Sequence, residues 1–282
     1  MDKTKNLKIL DCTLRDGGYV NNWRFSQSQI LKIVGALEKS NVDIIELGYL
    51  DDKKGSSINS TLFDSVASVD AALGSLAPKV QKVVMIDLFG FNMDKLPLQS
   101  DTKINGIRLA FHKKDVNNAL AAAEKIIDLG YQLFFQPMVT KNYTDDEFLA
   151  LIERVNKLNI YAFYVVDSFG SMTLSEFQKY INLADNNLNK GIELGYHSHN
   201  NMQLAFSNTI NLCSENIDRN VILDSSIYGM GRGAGNLNTE LIADYLNTIS
   251  KYKYEVMPLL EVIDEILTYY FKKKSWGFSP TQ

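Results

Sequence analysis

One pattern constrains this chain more than any other. Short apolar or β-branched runs alternate eight times with longer segments, in a single chain of 282 residues. Residues 7–12, 42–50, 81–89, 104–111, 131–138, 160–168, 191–199 and 220–229 read as strands. Segments 26–40, 59–75, 115–129, 145–158, 173–188 and 202–217 read as helices. In the first of these, Ile30, Ile33, Val34 and Leu37 line one face behind Ser26 or Ser28 as the N-cap. The stretch after the third strand is short and contains Pro97, so a full helix is not expected there. Two helices, about 238–250 and 255–273, finish the chain. Strands alternating with helices imply parallel pairing through right-handed crossovers. Eight such units imply an α/β fold of the (β/α)₈ TIM-barrel type. The runner-up, an open doubly wound sheet, would use fewer units around one switch point. No Pro-, Gly- or Ser-rich linker divides the chain. The expected division is a barrel domain over 1–250 and a short C-terminal helical extension over 251–282.

Composition narrows the setting. Hydrophobic residues make up 45% of the chain, enough for a large core, and the net charge is −4. Nothing in that balance draws the protein to nucleic acid or to an anionic membrane. No apolar run reaches the roughly 18–20 residues that span a bilayer. The N-terminal "MDKTKNLKIL" lacks the apolar stretch of a secretory signal. Cys12 and Cys213 show neither disulfide nor metal-knuckle spacing, so a reducing cytoplasm is expected.

In a (β/α)₈ barrel the chemistry sits where strands end and βα loops begin. Polar residues gather there. The first strand runs into Arg15, Asp16, Gly17, Gly18 and Tyr19, and the second carries Glu46. The fourth carries Arg108 followed by His112, and the fifth carries Gln136. The sixth ends in Asp167 and Ser168, the seventh in His197, Ser198 and His199. The eighth enters the glycine-rich "YGMGRGAGN", which holds Arg232 and Asn236. His197 and His199 are two apart on a strand, so both rings point to one side. With a carboxylate from another strand they form a two-histidine, one-carboxylate metal set with open positions. Asp16, past the strand and beside two glycines, suits that carboxylate better than Asp11, which falls within the strand. Arg15 could hold a carboxylate or an enolate oxygen, or only close the barrel end as an ion pair. Asn236 could turn towards the metal or cap a helix. Glu46 could bind substrate or be a polar group inside the barrel. Asp167 could orient a histidine or cap the helix entry. Arg108, Gln136, Glu46 and Asp167 are the substrate-binding candidates. The G-x-G-x-x-A spacing at Gly229, Gly231 and Ala234 is a weak dinucleotide signal, since no further βαβ unit follows.

"LDCTLRDGG", "YHSHNN" and "GMGRGAGN", in this order, resemble the metal-dependent lyase and aldolase barrels of the HMG-CoA lyase-like family. That family includes HMG-CoA lyase, isopropylmalate and citramalate synthases and 4-hydroxy-2-oxovalerate aldolase. The resemblance covers about residues 7–250. It implies that Asp16, His197 and His199 bind a divalent metal, with Asn236 as a possible further ligand and Mn²⁺ or Mg²⁺ before Co²⁺ or Zn²⁺. It implies that Arg15 stabilises the enolate oxygen of a 2-keto acid such as pyruvate, with an aldehyde as co-substrate and a homodimer as the assembly. The catalytic cysteine of HMG-CoA lyases has no counterpart in 229–236, so the hydroxy-keto-acid aldolases are the closer branch. Those aldolases carry a histidine shortly after R-D-G; here the matching residue is Tyr19, which becomes the candidate acid/base. The chain stops at Gln282, so the longer tail of the synthases and the dehydrogenase-docking segment of the aldolases are not expected. Two alternatives remain: a Claisen-type acyl-CoA/2-keto acid synthase, and a metal-binding scaffold without turnover.

Overall fold

The protein is described from a computed structural model that covers residues 6–54, 57–75, 79–249 and 253–278. Eight strands form the wall: β1 (Leu7–Asp11), β2 (Ile44–Leu50), β3 (Gln81–Asp87), β4 (Gly106–Phe111), β5 (Gln132–Pro137), β6 (Ala162–Asp167), β7 (Glu193–Ser198) and β8 (Val221–Ser225). All neighbours pair in parallel, and β1 pairs with both β2 and β8, which closes the sheet. The barrel topology is as expected, and the open-sheet alternative is excluded by that closure. A two-residue strand, Leu62–Phe63, adds to the end of β2.

Helices surround the wall: α1 (Gly18–Asn21), α2 (Gln27–Lys39), α3 (Val66–Leu73), α4 (Val116–Asp128), α5 (Asp145–Val155), α6 (Leu174–Asn187), α7 (Ala205–Ser214) and α8 (Thr239–Ile249). Reciprocal capping boxes start α2, α5 and α6, at Ser26–Gln29, Thr144–Glu147 and Thr173–Glu176. After β3 the chain makes only two 3₁₀ turns, Met93–Lys95 and Gln99–Asp101, as the short Pro97 segment implied. The single turn α1 was not anticipated; it follows directly from the crowded R-D-G-G-Y turn. At the C-terminus α9 (Met257–Val262) runs through a π turn, Ile263–Leu267, into α10 (Thr268–Lys273). Leu259, Val262, Ile266 and Leu267 join the same buried layer as α2 and α8. The expected boundary at 250/251 falls outside the described residues. Among the described residues no helix is long and apolar enough to cross a membrane.

Two apolar layers result. The larger lies between strands and helices. The smaller fills the barrel axis with Leu10, Cys12, Ile44, Val83, Phe134, Ala162, Tyr164, Val166 and Ile222. Side chains alternate faces along a strand. Two residues beyond Ile44 comes Glu46, beyond Phe134 comes Gln136, and beyond Ile222 comes Asp224. On these three strands the inward row therefore changes from apolar to polar or charged on the way to the barrel mouth.

Arg219 shows how the lower end is held. Its Nε donates to Asp185 Oδ1 at 2.7 Å, Nη1 to the carbonyls of Asn189 and Ile192, and Nη2 to those of Asp185 and Leu188. One planar fork thus satisfies the open carbonyls at the end of α6 and the turn into β7. A lysine has a single charged point and cannot reach them all. Arg219→Lys is expected to lower unfolding free energy by about 2–3 kcal/mol, read as a lower urea midpoint at unchanged m-value.

Candidate active site and metal centre

Asp16, His197 and His199 meet at the barrel mouth. One ligand atom from each lies within 4.8 Å of the others, and all three residues are buried. The histidines stand on β7 and the step after it, while Asp16 comes from the loop after β1. The second ring nitrogen of each histidine is already committed. His197 Nδ1 lies 2.9 Å from Asp224 Oδ2, and His199 Nδ1 lies 3.2 Å from the carbonyl of Gly235. A carboxylate and a carbonyl only accept, so each Nδ1 carries a hydrogen and Nε2 is the nitrogen left to face a metal. Burial lowers the His199 pKa to about 4, leaving the ring neutral as a metal ligand must be. Burial alone would neutralise Asp16; the Arg15 guanidinium beside it outweighs that and holds the carboxyl well below its usual range. The residues therefore fit a divalent cation: two imidazoles presenting Nε2, one ionised carboxylate, and a buried Asn236 Oδ1 with no hydrogen-bond partner.

Loop geometry delivers Asn236. Its backbone pairs with His199 in an antiparallel bridge, and its Nδ2 donates to Asp16 Oδ2 at 2.6 Å. The glycine-rich turn has to pass close. A Cβ on Gly231 would fall 2.3 Å from Asn236 Nδ2 and 2.6 Å from Asp16 Oδ2. Gly18 is required in the same way. A Cβ there would strike the Trp23 ring at 2.1 Å, and the indole Nε1 donates to the Arg15 carbonyl at 2.9 Å.

Behind the triad runs a chain of buried charges. Arg15 Nη1 donates to Asp16 Oδ1 at 2.7 Å and its Nε to Glu46 Oε2 at 2.8 Å. Arg108 Nη1 donates to the same Glu46 oxygen at 2.6 Å, and Nη2 to Asp224 Oδ2. Burial works against the Asp224 carboxylate, and Arg108 with His197 holds its carboxyl below the ordinary value. Gln136, with its amide oriented oxygen-first, accepts from Arg108 Nε and Nη2 at 2.6 Å. One end of this chain fixes Arg15; the other fixes the tautomer of His197. Arg15 Nη2 is left buried with no partner.

The mouth holds a cavity of about 230 Å³. Arg15, Asp16, Tyr19, His197, His199 and Gln136 line it. Glu46 and Arg108, expected to touch substrate, stand instead behind the wall with fully buried side chains. Asp167 is also turned from the cavity: its two oxygens accept from the backbone N–H groups of Ser171 and Met172 and shape the loop after β6. Asp11 accepts from Thr13 N and Thr239 Oγ1, and burial pushes its carboxyl up to about 6. Asp224 was missed from sequence, although its inward phase two residues past Ile222 was a usable signal. His112 lies on the cavity rim.

A model of the HMGL-like family matches residues 6–262. The chain belongs to the HMGL-like family. Among its relatives is 4-hydroxy-2-oxovalerate aldolase from Geobacillus thermodenitrificans (strain NG80-2), 26% identical over 271 residues, 95% of this chain and 77% of the relative. Oxaloacetate decarboxylase from Mycobacterium tuberculosis (strain ATCC 25618 / H37Rv) is 24% identical over 244 residues, 83% of this chain and 68% of the relative. The crystal structure of the N-terminal domain of an aldolase candidate from Bacteroides vulgatus superposes with a TM-score of 0.83 at 28% identity, covering 96% of this chain and 89% of that one. HMG-CoA lyase from Brucella melitensis shares the fold, with a TM-score of 0.75 at 14% identity over 96% of this chain and all of that one.

In this HMGL-like barrel Asp224 sets the His197 tautomer. Asp224→Asn is expected to weaken Mn²⁺ binding by roughly 10–100-fold, measured by titration calorimetry on folded protein. Unchanged affinity would remove Asp224 from that role.

Proposed function

We propose that this HMGL-like chain is a divalent-metal-dependent aldolase, a carbon–carbon lyase. It makes or cleaves the C3–C4 bond of a 4-hydroxy-2-oxo acid, with a pyruvate-type keto acid and an aldehyde as the two parts. One observation carries the reading. Arg15 borders the same cavity as the Asp16–His197–His199 triad and keeps a buried, unpartnered Nη2. A spare guanidinium donor beside a metal set suits an oxygen that gains negative charge.

Asp16, His197 and His199 would hold the metal, with Mn²⁺ or Mg²⁺ proposed and Co²⁺ or Zn²⁺ compatible with the donor set, and Asn236 Oδ1 within the same group. When bound, the metal supplies a Lewis acid that polarises the 2-oxo group. The protein's own residues divide the remaining tasks. Arg15, fixed through Nε and Nη1, offers Nη2 to the enolate oxygen without reorganising. In cleavage the C4 hydroxyl loses its proton, the C3–C4 bond breaks to release the aldehyde, and C3 gains a proton to give the keto acid. Tyr19 lines the cavity and is the proposed acid/base. Burial pushes its phenol up, against the opposing pull of Arg15, so the hydroxyl is held protonated. That state is ready to protonate the C4 oxygen in the condensing direction; in cleavage the base is the tyrosinate, which has to be favoured against burial by Arg15 and the bound metal before it accepts the C4 hydroxyl proton.

We also propose that residues 1–250 carry catalysis and 251–282 buttress the barrel, that the assembly is a homodimer, and that the protein works in the cytoplasm. Cys12 and Cys213 are buried thiols, which suits a reducing compartment.

Metal-loaded protein is expected to release pyruvate from 4-hydroxy-2-oxo acids with no need for CoA, and EDTA is expected to abolish this. Arg15→Ala should lower kcat at least about 100-fold with Mn²⁺ still bound. Tyr19→Phe should slow cleavage more than it weakens pyruvate binding. Metal binding without turnover of any such acid would favour the scaffold alternative.

A further inference from the structure

A second hollow opens beside the catalytic cavity. The two share Tyr19, Tyr49 and Asp87. Beyond those shared walls the groove is lined by Trp23, Leu62, Phe89 and Gly90 and by the charged pair Asp51 and Lys54, around a space of about 370 Å³. Its aromatic wall is built from rings already locked together. Trp23 packs edge-on to Tyr19 with centroids 4.5 Å apart, and lies 6.1 Å from Tyr49. Phe89 leaves 57% of its surface in solvent at this groove.

The charges there are partly paired with one another. Lys54 is paired with Asp51 at 3.2 Å, and Lys53 Nζ donates to the Phe89 carbonyl. Asp87 places a carboxylate at the junction of the two hollows. A ligand group passing from cavity to groove would therefore meet ring faces and Asp87, with Arg232 over the Tyr19 ring and Lys54 already paired with Asp51.

We infer that the groove receives the aldehyde-derived end of the substrate, and that this end is an uncharged aryl group. The inference rests on the aldolase reading. The keto-acid end is held where the donors are, at Arg15 and the triad. The groove joins the cavity on the Tyr19–Tyr49–Asp87 side, and neither histidine borders it. C4 and its substituent thus extend past Tyr19, the proposed acid/base, onto Trp23 and Phe89. Offset or edge-on ring packing rewards an aromatic there, and a two-carbon aldehyde leaves the groove empty.

The test compares two substrates on the metal-loaded protein: 4-hydroxy-2-oxopentanoate and 4-hydroxy-2-oxo-4-phenylbutanoate. The phenyl compound is expected to show kcat/KM at least about 10-fold higher. In Phe89→Ala, and more so in Phe89→Asp, the phenyl-to-methyl ratio of kcat/KM should fall by about 10-fold. Phe89 is exposed, so neither change threatens the core. A wild-type preference for the methyl compound, or a ratio unmoved in both variants, overturns the inference and leaves the aldolase reading standing. Exchange of pyruvate methyl protons with deuterated solvent, followed by NMR, separates the two claims. If metal-loaded protein catalyses no exchange and cleaves neither substrate, the aldolase reading fails and this inference with it.

Discussion

The Arg108 guanidinium sits inside a barrel, fully removed from water, and the active site is organised around it. A buried cation is tolerable only when its donors are all met by anions or amides. Glu46, Asp224 and Gln136 meet them here. Each partner has a second task on the cavity side. Glu46 takes the Nε of Arg15, Asp224 takes the Nδ1 of His197, and Gln136 forms part of the wall. Removing Arg108 would leave two carboxylates facing each other's field in a low dielectric, and the groups they orient would lose their geometry. The charge chain is thus a positioning device whose cost in desolvation is offset by the order it imposes on Arg15 and His197.

Much of this was legible in the sequence. The alternation of strand and helix runs identified eight βα units because both periods were clean and the loops short. It also identified the one unit without an α-helix, since Pro97 leaves no room for one. The H-x-H pair and Asp16 could be brought to one point because strand phase and barrel topology together dictate where strand ends meet. The roles of Glu46 and Arg108 were harder. A position near the mouth does not distinguish a side chain that borders the cavity from one a layer below. That distinction depends on stagger around the barrel, and β2 shifts register against β3 between Glu46 and Tyr49. Asp224 escaped notice because a single acid in "VILDSS" resembles a strand terminus. Asp167 reads as a site residue by position, yet its oxygens go to local backbone N–H groups. Short-range turn chemistry of that kind competes with every assignment made at a strand end.

The three side chains proposed to hold the metal are positioned by different elements. His197 and His199 ride on β7 and its first step, where sheet hydrogen bonds and second ring partners fix them. Asp16 belongs to a loop, and its place depends on a second loop. Asn236 Nδ2 holds one of its oxygens, and Thr13 Oγ1 accepts from Ile227 N across the same gap. The C-terminal segment then reaches over both. Lys274 Nζ donates to the Tyr19 carbonyl, and Trp276 Nε1 donates to the Tyr228 carbonyl. The loop after β1 and the loop after β8 are therefore tied to each other and to the same strap. The R-D-G-G-Y turn carries the carboxylate, the guanidinium proposed for the enolate and the phenol together, and the loop after β8 ties that turn to His199 through the Gly235 carbonyl and the Asn236 bridge.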